Sequence, residues 1–274
     1  MVEIDSMFRL IWAFLVRDFR TELSYRMSFL LSLSGIFFSA FTFFFVSELF
    51  GAAASPYLEE YNVDYFSFVI IGIAFNGYFT LGLGGFARAL RQSQTTGTLE
   101  AMVMTPVPVS MIVIGSAAWS YVFTTFRVIV YLLLGTLLFT LDLEGANYLG
   151  ALVSLILSII AFASIGIIAA GIIMVVKRGE AITSLVSSFA SLVGGIYYPV
   201  EILPSWLQVI SALVPVTYAV RAMRLSLLVG ASWSELLPDL LVLLGFTIVL
   251  FPTSLVVFHY AVERARKDGS LTHY

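Results

Sequence analysis

The amino-acid sequence predicts an all-α integral membrane protein: six transmembrane helices, an N-terminal interfacial helix, a short cytoplasmic helix and two outer re-entrant half-helices before the last span. Three observations carry that prediction. Of 274 residues, 60% are hydrophobic and 11% charged, where soluble domains carry roughly 25% charge. Six apolar runs reach the ~20 residues needed to cross about 30 Å of hydrocarbon. Lysine and arginine alternate from loop to loop, as the positive-inside rule requires. No polar block of domain length interrupts the chain, so residues 1–274 read as one transmembrane domain.

The six runs are Met27–Phe50, Tyr65–Phe86, Val109–Leu141, Leu149–Val176, Ile182–Pro199 and Leu240–Val262. The third is longer than a bilayer needs and is expected to tilt, kink or project into the cytoplasm. Arg9, Arg17, Arg20 and Arg26 precede the first span, and Arg88 and Arg91 follow the second. Lys177 and Arg178 follow the fourth, and Arg264, Arg266 and Lys267 the sixth. The alternate loops carry Glu59, Glu60 and Asp64, then Asp142 and Glu144, with no basic residue. Both termini are therefore expected in the cytoplasm. Only the last outer segment departs from the pattern, and a seventh span there is rejected because it would carry Arg264, Arg266 and Lys267 outside. No signal peptide is expected, since Glu3 and Asp5 precede the first apolar run.

Taken in order, Met7–Tyr25 is apolar early and charged late, in RDFRTELSYR. Trp12 and Phe14 suit the headgroup boundary, so this stretch predicts a helix lying on the cytoplasmic surface, with Arg17 and Arg20 as its contact residues. Between spans two and three, GTLEAMVMTPVP (Gly97–Pro108) holds helix formers from Leu99 to Met104 and then a Thr-Pro-x-Pro stop. A helix that short is unstable alone. Leu99, Met102 and Val103 share one face, and Glu100 is its sole charge. Either this element docks into a partner and passes motion to both spans, or it is a plain polar turn.

The outer segment 200–239 is apolar in pieces too short to span. Pro204 can open a helix over Ser205–Leu213 that Pro215 stops, and a second over Tyr218–Val229 can end at Gly230. Non-spanning backbone of this kind must be buried in protein or face water, so the pair is expected to cap the outer side. Tyr197, Tyr198 and Trp206 read as an aromatic belt or as a cap over a path.

Within the spans, Arg127 is either a pathway residue facing the protein interior or one half of a structural pair. Asn76 is either helix glue or a pathway residue. Gly82, Gly84, Gly85, Gly166 and Gly171 allow close packing or a bend. Catalytic constellations are absent: the chain has no GxSxG, no HExxH and no P-loop, since neither Lys177 nor Lys267 sits in a phosphate-binding context. With no cysteine and only His259 and His273, no metal site is expected. Buried acids of the sort that couple carriers to protons do not occur in the spans.

Two motifs carry a resemblance to the ABC-2 family of ABC exporter membrane subunits. GTLEAMVMTPVPVSMIVIG (Gly97–Gly115) is similar to the family's ATPase-coupling segment, and GGIYYPVEILPSWLQVISALVPVTYAVRAMRLSLLVG (Gly194–Gly230) to its late signature. The N-terminal RDFRTELSYRMSFLLSL is a looser match. The resemblance implies a permease, not an enzyme, paired with a second copy or a homologous permease and docked on a separate dimer of ATPase subunits that binds ATP and Mg. It implies an inner-membrane location in a prokaryote, and no nucleic-acid partner. Carried to matching positions, Thr98, Leu99, Glu100, Met102, Thr105 and Pro106 would couple to the ATPase. Tyr198, Pro199, Glu201, Pro204 and Pro215 would shape the outer gate. Many members have Asn-Pro where this chain has Val214-Pro215. The implied substrate is lipophilic or amphipathic and moves outward; a lipid-linked glycan, an ATP-independent carrier and a membrane scaffold are the alternatives.

Overall fold

The computed structural model describes residues 4–59, 61, 63–95, 107, 109–139, 141–176 and 180–267. The predicted coupling residues Thr98, Leu99, Glu100, Met102, Thr105 and Pro106 lie outside the described residues, as do Lys177 and Arg178. The described residues form helices joined by turns, with no strand among them. In chain order the helices are α1 Ile4–Ser24, α2 Arg26–Ala54, α3 Tyr65–Thr95, α4 Val109–Leu138, α5 Tyr148–Val176, α6 Glu180–Val193, α7 Ser205–Ala212, α8 Pro215–Arg224 and α9 Trp233–Lys267. Five of these, α2, α3, α4, α5 and α9, are long and apolar enough to cross a membrane. The bent pair α7 and α8 makes a sixth if counted as one span.

Helix α3 is the centre: 78% of its span is buried, against 11–39% for the other four. It packs on α4 and α5, and α5 in turn on α9. Close approach of α3 and α5 depends on glycine, because a methyl group at Gly166 would collide with the Gly82 carbonyl oxygen. Mid-bundle, Tyr78 donates to Thr125 Oγ1 at 2.7 Å and ties α3 to α4. Phe44, Phe66 and Phe139 close the core beyond α2, with ring centroids 4.8–5.8 Å apart.

The expected N-terminal helix is present and lies along α4. Phe14 is buried against Gly115, and the Phe19 ring stands 5.5 Å from Trp119. Arg17 covers Phe14 at 4.7 Å and pairs with Asp18, while Arg20 is exposed. Only Tyr25 separates α1 from α2.

Three elements differ from the sequence expectation. The fifth predicted span, Ile182–Pro199, is a 14-residue helix, α6, about 21 Å long at 1.5 Å per residue. It stops at Gly194 and Gly195, and Gly195 takes φ +74, a left-handed conformation other residues resist. The last helix begins at Trp233 rather than Leu240. Glu235 caps the start of α9 there, its Oε2 accepting from the Ser232 amide at 2.6 Å and from the Ser232 hydroxyl at 2.8 Å, so polar residues ahead of the apolar run still fold as helix. Finally, Pro215 not only stops α7 but occupies the first turn of α8, where proline needs no amide donor. The two helices meet at 88°, and Pro204 precedes the first residue of α7 as expected. After α8 a π-helical turn, Leu225–Val229, ends at Gly230 with φ +66. The long third span closes as α4 at Leu138, and Leu141 folds back so that its amide meets the Gly135 carbonyl at 3.2 Å.

Candidate functional site

Although α3 is enclosed on most sides, one stripe stays open: Ile73, Asn76, Gly77, Thr80, Gly84 and Arg88, spaced by three and four residues. Residues at that spacing share one helix face. Two grooves open along it. The first, about 570 Å³, runs between α3 and α6. From α3 it takes Asn76, Thr80 and Arg88, and from α6 a hydroxyl row that includes Ser184, Ser188 and Ser191. Tyr197 also lines it; its ring stacks 6.0 Å from Phe43, and its carbonyl accepts from Tyr65 Oη at 2.9 Å. The second, about 480 Å³, lies between α3 and α4, where Asn76, Thr80 and Arg88 meet Ser120, Thr124 and Arg127, with Glu22 of α1 at its wall.

The two sequence candidates for a pathway, Asn76 and Arg127, are therefore brought to one groove. Asn76 ties α6 to α3, its Oδ1 accepting from Ser191 Oγ at 3.1 Å, and it lines both grooves. Arg127 is exposed and makes no ion pair among the described residues. Among the described residues, Arg88 reaches the Thr80 carbonyl, at 3.5 Å. The groove thus sets a polar row with two cations into otherwise apolar helices.

The proposed gate residues sit apart from these grooves. Pro199 and Pro215 are buried, Tyr198 is half-buried, and Glu201 and Pro204 are exposed. Pro199 and Glu201 line a separate cavity of about 210 Å³ that also holds Arg221 and Arg224.

Those two arginines were not singled out from the sequence. Arg224 is 3% exposed. Its Nε donates to the Phe68 carbonyl at 3.0 Å, Nη1 to Gly195 at 2.7 Å and Nη2 to Ile196 at 2.7 Å, and the guanidinium covers the Phe68 ring at 3.4 Å. It thereby satisfies the irregular backbone after α6 and fastens it to α3, which apolar surroundings demand. Gly72 leaves room for this, since a side chain there would meet the Ile196 carbonyl and the guanidinium. Arg221 makes a two-pronged pair with Asp239, which is 1% exposed, and locks α8 to α9. The sequence signal was available: these arginines lie in the segment 200–239, which departs from the alternation of charge between loops.

The described residues thus form a helical bundle with five helices long and apolar enough to cross a membrane and polar grooves along the central one. The chain matches the family model described as ABC-2 type transporter over residues 9–228, and it belongs to that family. It is thus a permease component of a transporter, of a family that generally works with an ABC ATPase partner. No curated protein matches it.

Proposed function

We propose that this chain is the transmembrane permease subunit of an ATP-driven exporter that carries a lipophilic or amphipathic substrate out of the cytoplasm or inner leaflet. The supporting observation is the open stripe Asn76–Thr80–Arg88 on an otherwise enclosed α3. A helix buried this thoroughly leaves a polar face open only where something crosses or covers it.

Helix α6 supports a paired arrangement. Beside its serine row stand Leu185, Val186, Phe189 and Leu192, each 49–71% exposed. A second copy, or a homologous permease, covers this side and closes the grooves into a path, with both termini cytoplasmic. The unit sits in the inner membrane of a prokaryote. The partner ATPases bind ATP and Mg and act through Thr98, Leu99, Glu100, Met102, Thr105 and Pro106, while Arg17 and Arg20 of α1 face the same partner. Force enters as differential binding of the permease to the nucleotide states of the ATPase. Tyr198, Pro199, Glu201, Pro204 and Pro215 belong to the outer gate. The hydroxyl row of α6 also suits a lipid-linked glycan, which is the second reading.

The test is recovery of the tagged chain from native membranes in mild detergent. A stoichiometric ATPase subunit, with hydrolysis that depends on this chain, is expected, and Glu100→Arg is expected to abolish both. Recovery of the chain without any ATPase overturns the exporter reading.

A further inference from the structure

Arg88 and Arg127 lie within apolar spans, and neither makes an ion pair among the described residues. A charged side chain so placed ordinarily finds a partner or snorkels to the end of its span. Arg88, next to last in the span Tyr65–Ala89, does the reverse. Its guanidinium lies back along α3, 3.5 Å from where a Cβ on Gly84 would stand, and reaches the Thr80 carbonyl two turns inside the helix. Arg127 lies midway along the span Ile114–Leu138 and has no hydrogen bond among the described residues.

The two side chains converge. The contacts Phe66–Phe139, Tyr78–Thr125 and Phe86–Tyr121 set α3 and α4 antiparallel. Helical side chains lean towards their own N-terminus, so Arg88 and Arg127 lean towards one level. That level is near Gly77, where a Cβ would stand 3.2 Å from Thr124. Thr80 lies three residues to one side of this contact and Arg127 three residues to the other, about 4.5 Å of rise each. Both arginines line the α3–α4 groove with Thr80 and Thr124, and Ile73, Phe123 and Tyr131 give it an apolar wall. Glu22 is the one acid among the described residues that line it, so two cations stand against one anion. The α3–α6 groove, which shares Arg88, has no acid among its described lining residues. Two guanidiniums that face one polar volume repel unless an anion lies between them, and their planar forks match the oxygens of a phosphate, sulfonate or carboxylate.

We propose that the α3–α4 groove is an oxyanion subsite, in which Arg88 and Arg127 grip the anionic group of an amphipathic substrate. The Thr80 and Thr124 hydroxyls stand beside that group, and its apolar part lies against Ile73, Phe123 and Tyr131. The substrate class this assigns, an organic anion, rests on the transport reading above; binding of the anion does not.

The chain has no native cysteine, so Thr80→Cys gives a single thiol in the groove. The full chain in maltoside detergent is labelled there with an uncharged maleimide, in rising concentrations of hexyl phosphate, hexyltrimethylammonium or inorganic phosphate. Half-protection by hexyl phosphate is expected at a concentration about tenfold below that of the ammonium, the scale of one charge-assisted hydrogen bond. Inorganic phosphate is expected to protect less well than hexyl phosphate. On the same background, Arg88→Gln and Arg127→Gln are each expected to remove the preference for the anion, and Glu22→Gln to widen it. Equal protection by the two hexyl compounds overturns the site, and is the result if an acid of a second chain fills the groove. A preference that survives both glutamine variants, or a thiol at position 80 that the maleimide does not reach, overturns it as well. Equal protection by inorganic and hexyl phosphate overturns the amphipathic class. If no ATPase is recovered from native membranes while the preference holds, the export reading falls and the anion site stands; an ATPase recovered without the preference gives the reverse.

Discussion

Arg224 and Arg127 both interrupt apolar helical sequence, yet they are treated in opposite ways. Arg224 is sealed: three backbone carbonyls accept from it and an aromatic ring covers it. Arg127 opens onto a groove and has no ion pair among the described residues. A guanidinium brought into low dielectric as scaffold must match its N–H groups to acceptors. One left facing open polar volume depends on water, a ligand or a second chain. The contrast separates the α7–α8 region, which is held together by arginines, from the grooves along α3, which display them.

The largest expected effect is at the sealed site. Arg224→Leu strands the Gly195 and Ile196 carbonyls, which lie outside helix, and each unsatisfied buried group costs about 1–3 kcal/mol, so the variant is expected to lose the folded, monodisperse state in detergent. Arg224→Lys is expected to fare little better, because a point charge cannot bridge three carbonyls as a planar fork does. A melting temperature within about 2 °C of wild type for Arg224→Lys, less than the shift from 1 kcal/mol, would show that the fork does not hold α8 to the backbone after α6.

A smaller effect is expected at Arg221. Arg221→Ala leaves the Asp239 carboxylate, 1% exposed, without its guanidinium. The cost should be about 1–2 kcal/mol, below the 3–5 of a fully sealed pair, because the Arg221 side chain is 41% exposed and partly screened. Asp239→Asn in the same chain should recover part of the loss, which a double-mutant cycle of thermal unfolding measures.

The smallest effect on stability belongs to the groove. Arg127→Gln is expected within about 0.5 kcal/mol of wild type. Its exposure can be read directly, since the chain has no native cysteine. Arg127→Cys and Thr80→Cys should react with a charged, membrane-impermeant thiol reagent, while Ala161→Cys, at a fully buried position, should not. An unreactive Cys at 127 would mean that the groove is dry and would erase the distinction between the two arginines.

Much of this architecture follows from local pattern. Apolar runs located the five long helices, and the Pro204 and Pro215 punctuation located the bent pair, because a proline acts on its own turn. The Glu235 cap on the Ser232 amide at the start of α9 was also written locally, three residues apart, but hydropathy alone placed the start at Leu240. Asn147 is similar: its Oδ1 caps α5 by accepting from the Gly150 amide at 2.8 Å, while its Nδ2 reaches the Ala231 carbonyl 84 positions away. The first bond is legible from neighbours and the second is not.

What the sequence by itself determined is the class: an apolar, multi-span helical protein whose late glycine and proline residues break the helices where backbone geometry requires it. Only the tertiary structure decided which polar residues share a space. Asn76, Arg88 and Arg127 face one groove because α3 and α4 pack with a particular rotation about their axes, and that rotation is set by contacts such as Tyr78–Thr125. Arg224 is scaffold because α8 folds back on Gly72 and on the backbone after α6. Helical periodicity shows which residues share a face; the packing of one helix on another determines what that face meets.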